Sequence, residues 1–329
     1  MERSKNQPAR RALLGAAMAL SAMLAVPAMA QTYPAKPLVM VVPFPPGGPT
    51  DLVARVLAQK MSEQMGQSIV IDNKPGANGN IAAAMVSKAA ADGHTLLYNT
   101  SSITLSPALY KSLSYDVQKN LAPVALTAVV PLALVVNPAV PVNNVREFIA
   151  YAKANPGRLS YGSAGNGNVT HLAAFQLVGS QGIDATHIPY RGSAPADVDL
   201  VAGQIQFMTD TINSVMPFIK DKKLKLLAMT TAKRVSLFPD TPTLSETVMP
   251  GFEAGAWQGL MVPAGTPAAV IQRLNAEVMK ALNSPEVREK LAVQGAEPLG
   301  STPDEYAAYI KRELARWATV VKDTGLTLE

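Results

Sequence analysis

The sequence predicts an α/β protein of two lobes with mainly parallel sheets, and three observations carry that expectation. Short apolar runs of β type alternate with helical patterns along the chain. A strand, Gly-rich loop and helix unit at residues 38–65 recurs at residues 159–180. A long apolar run, VALTAVVPLALVVNP at residues 124–138, is broken by Pro131 in a way that suits a strand leaving one sheet and entering another.

Taken in order, the elements follow from local chemistry. In LVMVVPFPPGGPTD (38–51), Val39, Val41 and Val42 favour a buried strand. Gly47 and Gly48 admit positive φ and close approach by a ligand, while Thr50 and Asp51 are N-cap types. The helix DLVARVLAQKMSEQM sets Leu52, Val53, Val56, Leu57, Met61 and Met65 on one face and stops at Gly66. SIVID (68–72) reads as a strand, KPGANGN as a loop, residues 79–91 as an alanine-rich helix ended by Asp92-Gly93, and HTLLYNT as the next strand. After the long run come a helix from Val145 to Asn155, ended by Pro156-Gly157, and the strand LSYGSA (159–164). GNGNVT then leads into the helix THLAAFQLVGS, with Thr170 or Asn168 as its cap. THIPY, a helix through DVDLVAG, QIQFMTD, a short helix and KLKLLAMTT complete the middle domain. AWQGLMVPA (256–264) crosses back, and helices at 267–283 and 303–323 pack on the first lobe. The expected division is residues 31–134 with 256–329 in one lobe and 135–255 in the other.

Residues 1–30 read as a bacterial-type export signal. Arg3, Lys5, Arg10 and Arg11 form a basic start, ALLGAAMALSAMLAV is apolar, and Ala28-Met29-Ala30 is a small-x-small cleavage site before Gln31. The apolar stretch, about 15 residues, is shorter than the roughly 20 that a spanning helix needs. Arg10-Arg11 before Ala12-Leu13-Leu14 also weakly resembles a twin-arginine signal, with ordinary secretion the simpler route. The expected location is the periplasm. With no cysteine there is neither a disulfide framework nor a lipid-anchored cysteine.

Removing this leader corrects the charge. It carries 4 of the 29 Lys and Arg and 1 of the 24 Asp and Glu, so the rest carries 25 against 23, a net charge of +2. No basic run interleaved with aromatics remains, which argues against nucleic-acid binding. The roughly 300 remaining residues suffice for two α/β domains with real cores, and they hold no second long apolar segment. His94, His171 and His187 lack metal-ligand spacing, and the nucleophile and nucleotide motifs G-x-S-x-G, S-x-x-K, G-x-x-x-x-G-K-[ST] and G-x-G-x-x-G are all missing. Neither a metal nor a cofactor is expected.

The Pro-Gly-Gly loop before Asp51 contains no Lys, Arg or metal ligand, so an anion held there rests on N–H groups, hydroxyls and the helix dipole. Two such units in separate halves present two positive helix ends to one ligand. The blocks YPAKPLVMVVPFPPGGPTD, VIDNKPGANGNIAA, LSYGSAGNGNVTHLA, HIPYRGSAPAD, AWQGLMVPAGTP and WATVVKDTGL carry this further. In that order they resemble the Bug (TctC-type) periplasmic solute-binding proteins of tripartite tricarboxylate transporters. The resemblance spans the mature length. It implies a two-lobe type II periplasmic-binding fold with a hinge between the lobes, closing like a Venus flytrap on a carboxylate. It also implies delivery of this ligand to a separate membrane permease or, in some relatives, to a sensor protein, and a monomer is expected.

Carried over by position, the family's first loop falls on Phe44, Pro45, Pro46, Gly47, Gly48, Pro49, Thr50 and Asp51. The second falls on Ser163, Ala164, Gly165, Asn166, Gly167, Asn168, Val169, Thr170 and His171. The resemblance implies that main-chain N–H groups, hydroxyls and bridging water hold the carboxylate, a role assigned here to Gly48, Thr50, Ser163, Gly165 and Thr170. Thr50 has pure capping as its other reading, and Asp51 caps the helix rather than meeting an anion. Selectivity is expected from Ser101 and Ser102, from Tyr190 and Arg191, and from Asp210, Thr211 and Asn213. Relatives often carry Phe-Asp where this chain has Thr209-Asp210, which makes that wall more polar. Asp210 either pairs with a ligand ammonium or bonds a hinge amide, the second being favoured, and Arg191 either meets a second carboxylate or stays solvated at the hinge. Trp257 is placed beside the cleft and Trp317 in the core. Aliphatic dicarboxylates, aromatic carboxylates, amino acids and nicotinate-like acids all satisfy the two-loop logic. The runner-up from another class is a periplasmic hydrolase or isomerase acting on a carboxylate, with His171 and Asp210 as base and acid. His171 itself reads better as a hydrogen-bonded structural residue near a helix start.

Overall fold

A computed structural model describes residues 33–235 and 237–324. The expected export signal and its cleavage site lie outside the described residues, as does the end of the WATVVKDTGL block.

β1 (Leu38–Val42) buries Leu38, Met40, Val41 and Val42, and the PFPPGG loop carries it into α1 (Pro49–Met65). This helix begins two residues earlier than the Thr50 and Asp51 caps suggest. Gly48 is the N-cap and Pro49 takes the first turn, where a missing N–H removes no helical bond. Gly66, at φ 67, closes the helix in the left-handed conformation. β2 (Ile69–Asn73) and a 3-10 turn at Ala77–Gly79 lead to α2 (Asn80–Val86). α2 is shorter than the helix expected at 79–91. Beyond Val86 the Lys88 and Ala89 N–H groups bond only three residues back, and the Ser87 hydroxyl donates to Ala84 O at 2.9 Å, so the chain tightens into turns before β3 (Thr95–Thr100).

α3 (Ser102–Leu109) and the short α4 (Val117–Asn120) precede β4 (Leu121–Val136). The second half follows as α5 (Val145–Ala154), β5 (Leu159–Ser163), α6 (Val169–Gln181), β6 (Ala185–Pro189), α7 (Ser193–Val201), β7 (Phe207–Thr211), α8 (Ile212–Lys220), β8 (Lys225–Met229) and α9 (Leu244–Thr247). The return segment is β9 (Gly255–Pro263), α10 (Ala268–Leu282), α11 (Pro285–Val293), β10 (Glu297–Pro298) and α12 (Pro303–Thr324).

β4 is the strand that belongs to both halves, as its interrupting proline suggested. Its first part, Leu121 to Pro131, pairs antiparallel with β9, whereas Leu132 to Val136 pairs with β7 and β8. The first half therefore runs β2-β1-β3-β9-β4, with β10 also on β4, and the second runs β6-β5-β7-β4-β8. Each half has a three-strand parallel centre, β2-β1-β3 or β6-β5-β7, to which the crossing strands add antiparallel. Thr230 pins the second crossing: its N–H and hydroxyl reach Leu132 O, and its carbonyl accepts from Ala254 N at 2.9 Å.

Each half buries its own core. Val41, Leu97, Leu126, Met261 and Tyr306 pack in the first, and Phe148, Tyr161, Leu177, Phe207 and Leu227 in the second. Trp257 belongs to the first core, edge-on to Tyr306 and Tyr309, and it also lines a cavity beside the crossing strands with Ser101, Pro131 and Gly255. Trp317 is buried on α12, its Nε1–H donating to Glu313 at 3.0 Å. Helices α10 and α12 pack on first-half elements, where the sequence placed them.

Candidate functional site

The equivalence of β1 and β5 puts their following loops opposite each other. Phe44, Pro45, Pro46, Gly48, Pro49 and Thr50 from the first, with Ala164, Asn168, Val169 and Thr170 from the second, line one cavity of about 60 Å³. Thr100 and Ser101 after β3, Arg191 to Pro195 around the start of α7, Thr211 before α8 and Ala256 in β9 complete its wall. Five helices, α1, α3, α6, α7 and α8, thus begin at this one space. Each contributes the positive end of its dipole and first-turn N–H groups that have no partner within the helix, although Thr170 N and Ser102 N are taken by Asn168 and Thr100. Among the described residues the lining includes no Asp or Glu, and Arg191 is its one charged side chain.

The first loop is held from behind. Asp51, 1% exposed, accepts from Gly47 N at 2.8 Å, Arg55 Nε at 2.8 Å and Asn73 Nδ2 at 2.9 Å. Although burial opposes its charge, these hydrogen bonds hold its carboxyl below the usual range. Gly47 has φ 76, so the turn needs a glycine there. Its N–H is taken by Asp51, while the Gly48 N–H closes a turn on Pro45 O at 3.3 Å.

The second loop is organised by its own side chains. Asn168 is the cap of α6, accepting from Thr170 N at 3.0 Å. The Thr170 hydroxyl accepts from Ala164 N at 2.9 Å and donates to Asn168 at 3.1 Å. Gly165 at φ 133 and Gly167 at φ 72 need their missing side chains, and a Cβ on Gly165 would meet Tyr190 O at 3.3 Å. Ser163 is fully buried, its hydroxyl 2.7 Å from His187 Nε2. His171 Nδ1 accepts from Gly167 N at 3.2 Å, and its ring stacks on His187 at 3.8 Å between centroids.

Of the residues singled out from sequence, Phe44, Pro45, Gly48, Thr50, Ser101, Ala164 and Thr170 are brought to the cavity wall. Gly47, Ser163, Gly165, Asn166, Gly167, His171, Tyr190 and Asp210 are not among its lining residues. Asn166 is exposed, and the Tyr190 hydroxyl is turned to Asp199 at 2.6 Å. Asp210 accepts from Ser193 at 2.8 Å and from Thr211 N at 2.6 Å, a backbone partner of the kind favoured for it. Sequence reasoning passed over Thr100, Gly192, Ser193, Ala194, Pro195 and Ala256. The run GSAPAD carried a usable signal, a Gly and Ser helix start with proline in the first turn. Ser101 gains weight from the structure: its buried hydroxyl has no hydrogen-bond partner among the described residues.

The stacked histidines make the second loop acid-sensitive. Burial lowers His171 to about 3, with His187 adding to the effect, and burial lowers His187 to about 4. Unfolded imidazoles titrate near 6.5, so below that pH the unfolded chain binds protons that the folded one refuses. The stabilisation is complete above about 6.5 and declines as pH falls toward about 4. Melting temperature should drop across that window, and His187→Gln should reduce the drop. An equal acid slope in wild type and variant would remove the histidine pair as its cause.

Among the described residues, no helix is long and apolar enough to cross a membrane, and no group of three or more His, Cys, Asp or Glu could hold a metal ion. The family model described as "Tripartite tricarboxylate transporter family receptor" (TctC) matches residues 53–326. Protein BugT of Bordetella pertussis (strain Tohama I) is 40% identical over 313 residues, covering 94% of this chain and 95% of that protein. The structure of R. palustris Rpa4515 with adipate superposes with a TM-score of 0.86 at 37% identity, over 89% of this chain and 98% of that one. MatC (Rpa3494) from Rhodopseudomonas palustris with bound malate gives 0.82 at 36% identity, over 88% of this chain and 100% of that one. The two-lobe periplasmic-binding fold follows from likeness to solved periplasmic and TctC solute-binding proteins.

Proposed function

The chain belongs to the tripartite tricarboxylate transporter receptor family of Bug (TctC-type) solute-binding proteins, and from that premise we propose that it captures a small organic carboxylate between its two Gly-rich loops. The family is one of receptors and not of enzymes, so the hydrolase or isomerase alternative is set aside. The observation that carries the proposal is the meeting of five helix starts on a cavity whose lining contains no acidic residue. One helix end contributes about 0.3–1 kcal/mol to an exposed charge and up to ~2 when partly buried. Five ends with two or three hydrogen bonds of roughly 1.5–3 kcal/mol each reach the about −8 kcal/mol of micromolar binding. No arginine clamp is needed.

In this reading Thr50 and Ser101 offer hydroxyls and the helix starts offer N–H groups, Thr170 and Ser193 offer theirs only by turning from Asn168 and Asp210, and Arg191 meets a second carboxylate at the rim. Gly47, Ser163, Gly165, Asn166, Gly167, His171, Tyr190 and Asp210 shape the loops and their support. A cavity of about 60 Å³ holds roughly four to six water molecules, which favours a short aliphatic dicarboxylate over a bulky aromatic acid. The lobes, residues 31–134 with 256–329 and residues 135–255, close on the ligand as a monomer in the periplasm after cleavage near Gln31. A tripartite permease receives the ligand, a sensor protein being the other candidate receiver.

Native mass spectrometry of the protein as purified, then a thermal-shift screen of organic acids, tests this directly, because a ligand of the native form raises apparent stability. Affinity should survive chelator and collapse when the ligand's carboxylate becomes a primary amide. An amide that binds equally well, or a need for metal, would overturn the carboxylate anchor.

A further inference from the structure

Behind the cavity wall two buried aspartates face each other. Asp210 on β7 is fully buried and Asp197 on α7 is 2% exposed. Asp210 Oδ1 accepts from the Ser193 hydroxyl at 2.8 Å and from Thr211 N at 2.6 Å, and both Ser193 and Thr211 line the cavity. Asp197 Oδ2 accepts from the Ser214 hydroxyl. The other two oxygens, Asp197 Oδ1 and Asp210 Oδ2, are buried with no donor among the described residues. Two ionised carboxylates in contact in a dry site repel strongly, whereas one proton between them satisfies both leftover oxygens.

We propose that Asp197 and Asp210 hold a shared proton that positions the Ser193 and Thr211 groups of the cavity, and that carboxylate binding is therefore coupled to proton uptake. This rests on the carboxylate-binding reading above. Burial raises both carboxyls above the usual range, and the Asp210 charge raises Asp197 further. The surroundings add little opposing charge. β4 and β5 carry no Asp, Glu, Lys or Arg, and burial keeps Tyr161 of β5 protonated. His171 of α6 is held neutral, Asp199 of α7 is engaged by Tyr190, and Lys220 of α8 and Arg191 before α7 are exposed. A bound carboxylate adds negative charge beside Asp210 and competes for the Ser193 hydroxyl. Both effects favour the protonated pair, so above the pH at which the free pair begins to lose its proton, binding draws a proton in and affinity falls as pH rises. Asp197 touches neither cavity nor ligand and acts as a positioning residue through Asp210.

Calorimetric titration with malate and adipate, both fully ionised from neutral pH upward, in buffers of different ionisation enthalpy, reads the coupling. In the alkaline range where the free pair begins to lose its proton, wild type should take up protons on binding and lose up to tenfold in affinity per pH unit, the limit for one proton. Asp197→Asn, which places a permanent donor where the proton was, should flatten that profile. Asp197→Ala should weaken binding at every pH, and the asparagine variant should recover much of that loss. A wild-type profile that stays flat into the alkaline range, with no proton uptake there, overturns the proposal. Failure of every acid to bind at any pH would instead refute the carboxylate reading. The Asp197 and Asp210 side-chain carboxyl carbon NMR shifts of the unliganded protein then decide the pair alone: one retained proton at neutral pH supports it, and two ionised carboxyls overturn it.

Discussion

Gly48→Val is expected to raise the Kd for carboxylate by about 100-fold or more while leaving the unliganded melting temperature nearly unchanged. Gly48 sits at φ −75 and ψ 168, extended backbone that valine adopts readily, so the substitution does not strain the loop. Its new Cβ would meet Pro45 O at 3.3 Å, a contact that a few tenths of an ångström relieve. The consequence lies in the cavity. Gly48 lines a space of about 60 Å³, and branched methyl groups entering it occupy the position where a ligand oxygen would approach the start of α1. Losing two hydrogen bonds to a charged group removes about 3–6 kcal/mol, and each 1.4 kcal/mol is tenfold. A Kd within tenfold of wild type would show that the ligand does not approach the first loop. Gly47 behaves differently, because its φ of 76 disfavours any side chain, and Gly47→Val should damage the loop itself.

The architecture was legible wherever pattern and position agreed. The run at 124–138 reads as a strand that changes sheets because Pro131 cannot donate within a ladder, and β4 changes partners between Pro131 and Leu132. Repetition of strand, Gly-rich loop and helix likewise identified β1 and β5 as equivalents. Elements without a clear period escaped. α3, SITLSPAL, contains Pro107 and three hydroxyl side chains, so its helicity comes from burial of Ile103, Leu105 and Leu109 and not from propensity. α11 did have a readable start, Ser284 as cap with Pro285 after it.

Legibility of the site divides along the same line. Loops next in sequence to a strand and a helix start announced themselves through glycine, proline and cap residues. Ser193 and Ala256 reach the cavity only because distant strands converge, a fact that no local window contains. Chemistry type also misled. Ser163 and His171 look like ligand groups, yet the structure joins Ser163 to His187 and His171 to Gly167, where they set the loop's shape. Hydrogen-bonding capacity shows in a sequence, whereas its direction depends on tertiary neighbours.

Asn78→Ala should weaken ligand binding by about tenfold to 100-fold without removing any group from the cavity wall. Asn78 lies in the turn before α2 and reaches the second loop directly, its Nδ2 donating to Gly167 O at 2.9 Å and its Oδ1 accepting from Asn168 Nδ2 at 3.3 Å. Ser102 also donates to that Oδ1, at 2.8 Å, which fixes the side chain from its own half. The residue thus ties the first half to the second loop when the cavity is enclosed, and an open form would lack both of these bonds. At roughly 0.5–1.5 kcal/mol each, their loss costs the closed form about 1–3 kcal/mol. Apparent affinity falls in proportion to the closed fraction, so the penalty passes directly into Kd. Asn78 has φ 53, which asparagine tolerates better than alanine, so Asn78→Gly serves as the control that removes the side chain without backbone strain. Both variants should bind weakly and, by small-angle scattering, be more extended than wild type before ligand is added. If both bind like wild type and keep its dimensions, Asn78 is not a latch and closure is set by the ligand alone.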